Sequence, residues 1–339
     1  METSIEQYQL ELTKLVENYT KGLRRLYQQL NQKINRINKR NISRNLKIIL
    51  LIRVRTNYNN NIKKLTSDYN NKKNKLTNII NSLLIHNKKA LLVGINYINT
   101  PNELYGCIND TTNIKKLLEN NFKYTMFNIL TDTTNIKPTK QNILDALTNL
   151  LVNSVSGDTL FFLYSGHGTC TIDMTGDELD GQDEMIVPLD GTTFKKCILD
   201  DELNQLIRTN LKSGTKLFMM FDSCFSGTVV DLKYNYIYDS ELQVTNNNVS
   251  EINGEVYMIS GCKDNQTSVD AYVRYNNTNM SSGAMTYSFL KTINELGMDI
   301  SFKTLIENMR NILNTDGYEQ IPQLSSSLLV DINTTKISL

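Results

Sequence analysis

The chain has 339 residues with 36 Lys/Arg against 35 Asp/Glu, and its five cysteines (Cys107, Cys170, Cys197, Cys224, Cys262) form no C-x-x-C pair. The length fits one large α/β domain with an appendage. The odd, scattered cysteines argue against a disulfide framework or structural zinc and for a reducing, cytoplasmic compartment.

The first residues are too polar for a signal peptide, and the run Ile48-Ile-Leu-Leu-Ile52 is too short to span a bilayer, so no membrane span is expected. The balanced total charge hides an asymmetry. Residues 1–89 hold 19 Lys/Arg and 5 Asp/Glu, a net of +14, whereas the remaining 250 hold 17 and 30, a net of −13. Two segments with different tasks are therefore expected, residues 1–87 as a basic helical region and 88–339 as the larger domain.

Neither glycine nor proline occurs between Leu23 and Val93, which favours long helices. Leu12, Leu15, Tyr19, Leu23, Leu26, Leu30, Ile34 and Ile37 make one helical face, and Ile62, Leu65, Tyr69, Leu76, Ile80 and Leu83 make a second. The pattern predicts an antiparallel helical pair over 4–85, broken at the Asn-rich stretch 57–61. Its basic face is solvated, self-associating, or binds a protein or nucleic acid; no aromatic residues interleave the cations in a nucleic-acid motif.

From Lys89 the pattern changes. Strands are predicted at 90–96, 126–130, 158–165, 217–222 and 256–260, and helices at 110–119, 138–152, 200–211, 283–296 and 302–314. A polar, mobile linker is expected between about 228 and 254, dividing a larger part of the domain from a smaller one (255–339). Strands alternating with helices predict a doubly wound, mostly parallel sheet covered on both faces. In such sheets, chemistry sits at the carboxyl ends of the strands.

Two strand ends stand out. Tyr164-Ser-Gly-His-Gly-Thr169 places His167 after one strand, and Asp222-Ser-Cys-Phe-Ser-Gly227 places Cys224 after another. An imidazole that titrates near neutrality can manage the proton of a thiol, so the pair points to acyl transfer through a Cys/His dyad. Asp110 and Asp222 would be carboxylates beside that thiol. Asp110 either caps the helix beginning there or serves a cationic ligand.

These motifs resemble those of the metacaspases, a family of caspase-like cysteine proteases. Tyr105-Gly-Cys-Ile-Asn-Asp110, Asp200-Asp-Glu-Leu203, Ser260-Gly-Cys-Lys-Asp-Asn-Gln-Thr-Ser268 and Gly283-Ala-Met-Thr-Tyr287 extend the match in the family's order, over about residues 88–330. The spacing is similar to that of the short-linker type I arrangement.

The resemblance implies a caspase-like fold and cleavage of protein substrates after Arg or Lys. It makes Cys224 the nucleophile, His167 the general acid/base, and the amides of Gly168 and Cys224 the oxyanion hole. Cys107, Asp110, Ser165 and Asp222 would line the substrate pocket. It also implies a calcium activator held by Asp183, Asp200, Asp201 and Asp231, away from the thiol, although acidic loops such as 173–184 are also simply solvated. A monomeric peptidase domain is expected. Phe225 stands where many relatives have His and Thr175 where many have Asp, and residues 1–85 are neither the Pro-rich nor the zinc-finger prodomain common in type I members of the family. Lys88, Lys89 and Lys233 are possible self-cleavage sites. The alternative is a catalytically vestigial scaffold working through its basic arm, against which the intact Cys224, His167, Asp110 and Asp222 speak.

Overall fold

The computed structural model describes residues 2–83, 87–172, 182–224, 230–238, 241–244, 251–261, 270–275 and 278–339. The chain forms two compact units, Met1–Ile85 and His86–Leu339.

The first unit is a pair of helices, α1 (Glu2–Asn38) and α2 (Arg44–Leu83). The contacts run in opposite chain directions, which makes the pair antiparallel. The Tyr19 hydroxyl meets Thr66 Oγ1 at 3.0 Å, the Tyr19 and Tyr69 rings stack at 4.3 Å, and Lys47 Nζ donates to the Asn38 carbonyl at 3.2 Å. The expected break at 57–61 does not occur, and α2 runs through it. Asparagine costs a helix at most about 0.7 kcal/mol per residue relative to alanine, less than the packing of a face against a neighbouring helix supplies. The chain turns at 39–43 instead, where Ser43 accepts from the Leu46 amide (3.4 Å) as the cap of α2.

In the second unit, β1 (Lys88–Gly94), α3 (Cys107–Asn120), β2 (Met126–Thr131), α4 (Lys140–Val152) and β3 (Thr159–Ser165) follow in order. A three-stranded side sheet is then made by β4 (Gly168–Ile172), β5 (Gln182–Ile186) and β6 (Ile198–Leu199), followed by α5 (Asp200–Asn210) and β7 (Lys216–Asp222). Next come β8 (Tyr234–Tyr238), β9 (Glu241–Val244) and β10 (Glu255–Ser260). The hairpin β11 (Asp270–Tyr275) and β12 (Thr278–Gly283) precedes α6 (Ala284–Leu296), α7 (Phe302–Thr315) and β13 (Gln323–Ser326).

The main sheet has the order β2-β1-β3-β7-β10-β13-β8-β9. β2, β1, β3, β7 and β10 are parallel, and β13, β8 and β9 extend them antiparallel. Alternate strand residues feed two cores. Ala90, Leu92, Phe161, Leu163, Phe218 and Met220 pack with α3, α6 and α7 on one face. Leu91, Val93, Phe162, Tyr164, Met219 and Phe221 pack with α4 and α5 on the other. This is the mostly parallel, doubly covered sheet that the sequence predicts.

Three expectations are corrected here. The 228–254 stretch contributes β8 and β9 to the main sheet, because Tyr234 and Tyr236 pair with Ser326 and Leu324 of β13. The helix expected from 110 begins a turn earlier, at Cys107. Lys88 and Lys89 are not a loose boundary. They open β1 between β2 and β3, with Lys89 Nζ 2.8 Å from Asp158 Oδ2, so cutting after either would break a central strand. Thr175, Phe225, Cys262 and His86 lie outside the described residues.

Candidate active site

β3 and β7 are parallel neighbours with Ser165 opposite Asp222, and the Gly166 amide donates to the Asp222 carbonyl at 3.2 Å. Two residues beyond each of these positions stand His167 and Cys224. The two turns touch. A Cβ on Gly168 would lie 2.0 Å from the Cys224 carbonyl oxygen, so only glycine permits this approach. Cys224 is half-buried and in no disulfide. Gly168→Ala is therefore expected to push the two strand ends apart and lower kcat by roughly 10²-fold, on the scale of losing one oxyanion donor. Steady-state kinetics beside a thermal melt checks this, since a kcat within threefold of wild type in a folded variant would show that the approach is not needed.

His167 is held from several sides. Its amide donates to the Tyr97 hydroxyl at 2.9 Å, and its carbonyl accepts from the Tyr164 hydroxyl at 2.7 Å and from the Val187 amide at 3.0 Å. The ring packs on that of Tyr97 with centroids 4.6 Å apart, and Nε2 lies 2.7 Å from the Asn102 carbonyl. A carbonyl only accepts, so Nε2 carries a proton, and in the neutral ring the lone pair is then on Nδ1. Tyr97 itself has φ of 51°, a left-handed conformation that costs a non-glycine residue about 1–3 kcal/mol. Its hydroxyl holds that geometry by donating to the Val187 carbonyl at 2.6 Å while accepting from His167. Burial pushes the Tyr97 and Tyr164 hydroxyls above their ordinary pKa, so both remain donors at neutral pH. Tyr97, Asn102 and the hydroxyl role of Tyr164 escape a motif reading, because none lies in a pattern with a fixed offset from His167.

On the other side of the strand ends lie the carboxylates. Asp110, fully buried in the first turn of α3, does not cap that helix, whose N-cap is Gly106 with no side-chain bond. It accepts instead from Ser165 Oγ (2.7 Å), Ser282 Oγ (2.5 Å) and the Gly283 amide (3.0 Å). Asp222, also buried, accepts from the Thr286 amide at 2.8 Å. A Cβ on Gly283 would sit 2.1 Å from Asp222 Oδ2, so this glycine brings both carboxylates onto one backbone segment. Burial, then the charge of Asp222, raises the pKa of Asp110 well above the usual carboxylate range, and its three neutral donors only partly offset this. Cys107 lies buried one turn before Asp110. Thus Asp110, Ser165 and Asp222 come together, with Ser282 as a member the motifs did not single out.

Farther along, one carboxylate oxygen from each of Asp200, Asp201 and Asp231 falls within 4.8 Å of the others. Asp200 is buried and accepts from the amides of Glu184 (2.6 Å) and Asp201 (2.7 Å). Burial pushes its pKa up to about 6, with Asp183 adding repulsion. Asp183 is buried nearby but is not one of the converging three. Asp231 adopts φ of 46°, and its carbonyl and that of Val230 accept from Asn204 Nδ2, which ties the turn to α5.

The family profile for the metacaspase peptidase C14 domain matches residues 88–233. Metacaspase-1 of Schizosaccharomyces pombe is 36% identical over 302 residues, covering 74% of this chain and 69% of that protein. Metacaspase-1 of Meyerozyma guilliermondii is 37% identical over 299 residues, covering 73% and 71%. A crystal structure of a Geobacter sulfurreducens protein superimposes with a TM-score of 0.54 at 22% identity, over 74% of this chain and 97% of that one. That last likeness speaks to fold alone.

Proposed function

We infer the finer function from a plain premise: this chain belongs to the metacaspase family, and is a cysteine endopeptidase acting on protein substrates. On that premise we propose a calcium-dependent peptidase that cuts after Arg or Lys through a Cys224/His167 dyad. The observation that supports the proposal is the backbone contact between Gly168 and Cys224, which brings the turn that carries Cys224 against the turn that carries His167.

The chain's own residues then act in sequence. Nδ1 of His167 takes the thiol proton of Cys224, and the sulfur adds to the scissile carbonyl carbon. The amides of Gly168 and Cys224 donate to the developing oxyanion. As the intermediate collapses, the C–N bond breaks and His167 returns the proton to the departing amine, leaving a thioester. A water molecule, deprotonated by the same ring, then adds to the thioester and frees the acid. Asp110 and Asp222 receive the guanidinium or ammonium of the residue before the cut bond, with Ser165 and Cys107 lining its path. A guanidinium suits a buried carboxylate pair because it presents a rigid fork of donors.

The second carboxylate group fits a hard cation. Asp200, Asp201 and Asp231 offer three oxygens in one place, and burial leaves Asp200 short of solvation. Negative residues at the start of α5 are also favoured by the helix dipole, but that accounts for neither Asp231 nor the buried Asp183. Calcium, when bound, would supply the charge that offsets their mutual repulsion.

The test is a panel of peptides differing only in the residue before the cut bond, assayed with EDTA or with calcium at about the millimolar level expected of weak sites. Cleavage after Arg and Lys that needs calcium is expected, and Asp201→Asn together with Asp231→Asn should weaken calcium binding by calorimetry. Cleavage after Asp with Arg inert would overturn the specificity, and full activity in EDTA would overturn the calcium dependence. With Cys107, Cys170, Cys197 and Cys224 in no disulfide, a reducing, cytoplasmic setting completes the proposal.

A further inference from the structure

The turn end of the helical pair combines two features the peptidase does not use. Between residues 18 and 67 there are thirteen Lys/Arg and no Asp/Glu, eight of the cations lying between Lys33 and Arg55. In the same place α2 carries the run Ile48-Ile-Leu-Leu-Ile52, which is apolar around the whole helix rather than along one stripe.

The packing divides that run. At about 100° per residue, Leu50, Leu51, Val54 and Tyr58 fall on one side of α2, and all are half-buried. Ile48, Ile49 and Ile52 fall on the opposite side and are 47%, 60% and 60% exposed, and Leu46, at the edge between the two sides, is 44% exposed. Arg53 and Arg55, both exposed, flank them. Four aliphatic chains in water, bordered by cations with no carboxylate among them, make a patch that hairpin packing does not explain.

The chemistry of the patch selects its occupant. Duplex nucleic acid would engage the cations through phosphates and leave the aliphatic side chains in water. A second copy would bury the aliphatic chains but bring eight cations from each tip together with no acid to pair them. An anionic bilayer satisfies both features, with headgroups for the cations and the acyl boundary for the isoleucines. No helix among the described residues is long and apolar enough to cross a membrane, so this contact lies on the surface.

We propose that the turn end of the α1–α2 pair docks this protein on anionic lipid surfaces through Leu46, Ile48, Ile49 and Ile52, ringed by Arg44, Arg53 and Arg55. The proposal does not depend on the peptidase reading.

The experiment is co-sedimentation of the full-length protein, in EDTA, with phosphatidylcholine vesicles and with vesicles containing one third phosphatidylserine. Binding to the anionic vesicles at least about tenfold tighter than to neutral ones, weakened by salt, is expected. Ile49→Asp with Ile52→Asp should cut that binding by roughly tenfold or more, and Arg44→Gln, Arg53→Gln and Arg55→Gln together should do the same. Because these side chains are exposed, helix content by circular dichroism and peptide cleavage should be unchanged. No preference for anionic vesicles, or undiminished binding by the double isoleucine variant, would overturn the proposal. So would tighter binding to duplex DNA than to vesicles, or a concentration-dependent dimer that the isoleucine substitutions dissolve.

Discussion

Cys224→Ala is expected to lower kcat by roughly 10⁴–10⁶-fold, and His167→Ala by a similar amount, while the double variant loses little more than either alone. The reason is that in the proposed dyad the two side chains act as one unit. Without the imidazole the thiol has no base at the end of β3, and without the thiol the imidazole has no nucleophile to deprotonate. What remains comes from binding and from the amides of Gly168 and Cys224, which neither substitution removes. The geometry allows a clean experiment. His167 is held through its own amide and carbonyl by Tyr97, Tyr164 and Val187, contacts its side chain does not make, so His167→Ala should keep the turn in place. Single-turnover kinetics on an Arg peptide, with melting curves for all three variants, is the measurement. A Cys224→Ala enzyme within tenfold of wild type, or losses that multiply in the double variant, would remove the dyad.

The sheet and the two turns that carry His167 and Cys224 were legible because buried parallel strands and glycine-flanked turns write themselves plainly. The runs at 160–164 and 217–221 are unbroken by a charged residue or a glycine, and in such a sheet their carboxyl ends adjoin. Less visible were the elements whose partners are distant in sequence. β13 is Gln-Leu-Ser-Ser, four residues buried only because β10 and β8 lie on either side, and nothing local marks it as a strand. β8 did leave a signal, the alternation of Tyr234, Tyr236 and Tyr238 with Asn235 and Ile237, but the polar residues around it read as a linker. The turn of the helical pair was misplaced because four asparagines in 57–61 look like a breaker, whereas Ser43, an ordinary cap residue, marks the true start of α2.

The candidate site shows the same division. Asp110, Ser165 and Asp222 were named from motifs, but what binds them together was not. Ser282 and Gly283 reach Asp110 from 172 and 173 residues away, and both come from the end of β12, a strand absent from the sequence reading. Tyr97 is likewise 70 residues from the His167 amide it accepts from. Its left-handed backbone has no signature in a residue type that seldom adopts it. Polar positioning around a reactive centre depends on long-range closure, which a local pattern does not encode.

Asp110→Asn is expected to reduce kcat/KM for Arg and Lys peptides by roughly 10²–10³-fold while making the protein more heat-stable at neutral and higher pH. The first effect follows from removing one charge that a buried substrate cation would meet; truncating one partner of such a pair costs about 2–5 kcal/mol. The second follows from linkage. Burial and the charge of Asp222 raise the folded-state pKa of Asp110 well above its unfolded value. Above the unfolded pKa the unfolded chain therefore binds fewer protons at this site than the native protein, and stability falls as pH rises towards the folded pKa. Asparagine removes that loss without stranding donors, because its Oδ1 can still accept from Ser282 and, at 3.2 Å, from the Gly283 amide, and the Ser165 hydroxyl can rotate to accept from Nδ2. The melting temperatures of the two proteins should accordingly meet in acid and diverge as pH rises. The same titration predicts that KM of the wild-type enzyme for an Arg peptide falls as pH rises, because the ionised carboxylate is the form that binds, and that the variant loses this dependence. Kinetics and melting curves recorded over one pH series read both effects from a single residue. A variant that is less active but also less stable across the series would place Asp110 in the scaffold rather than in the pocket, and an unchanged kcat/KM for Arg would take the substrate's charge elsewhere.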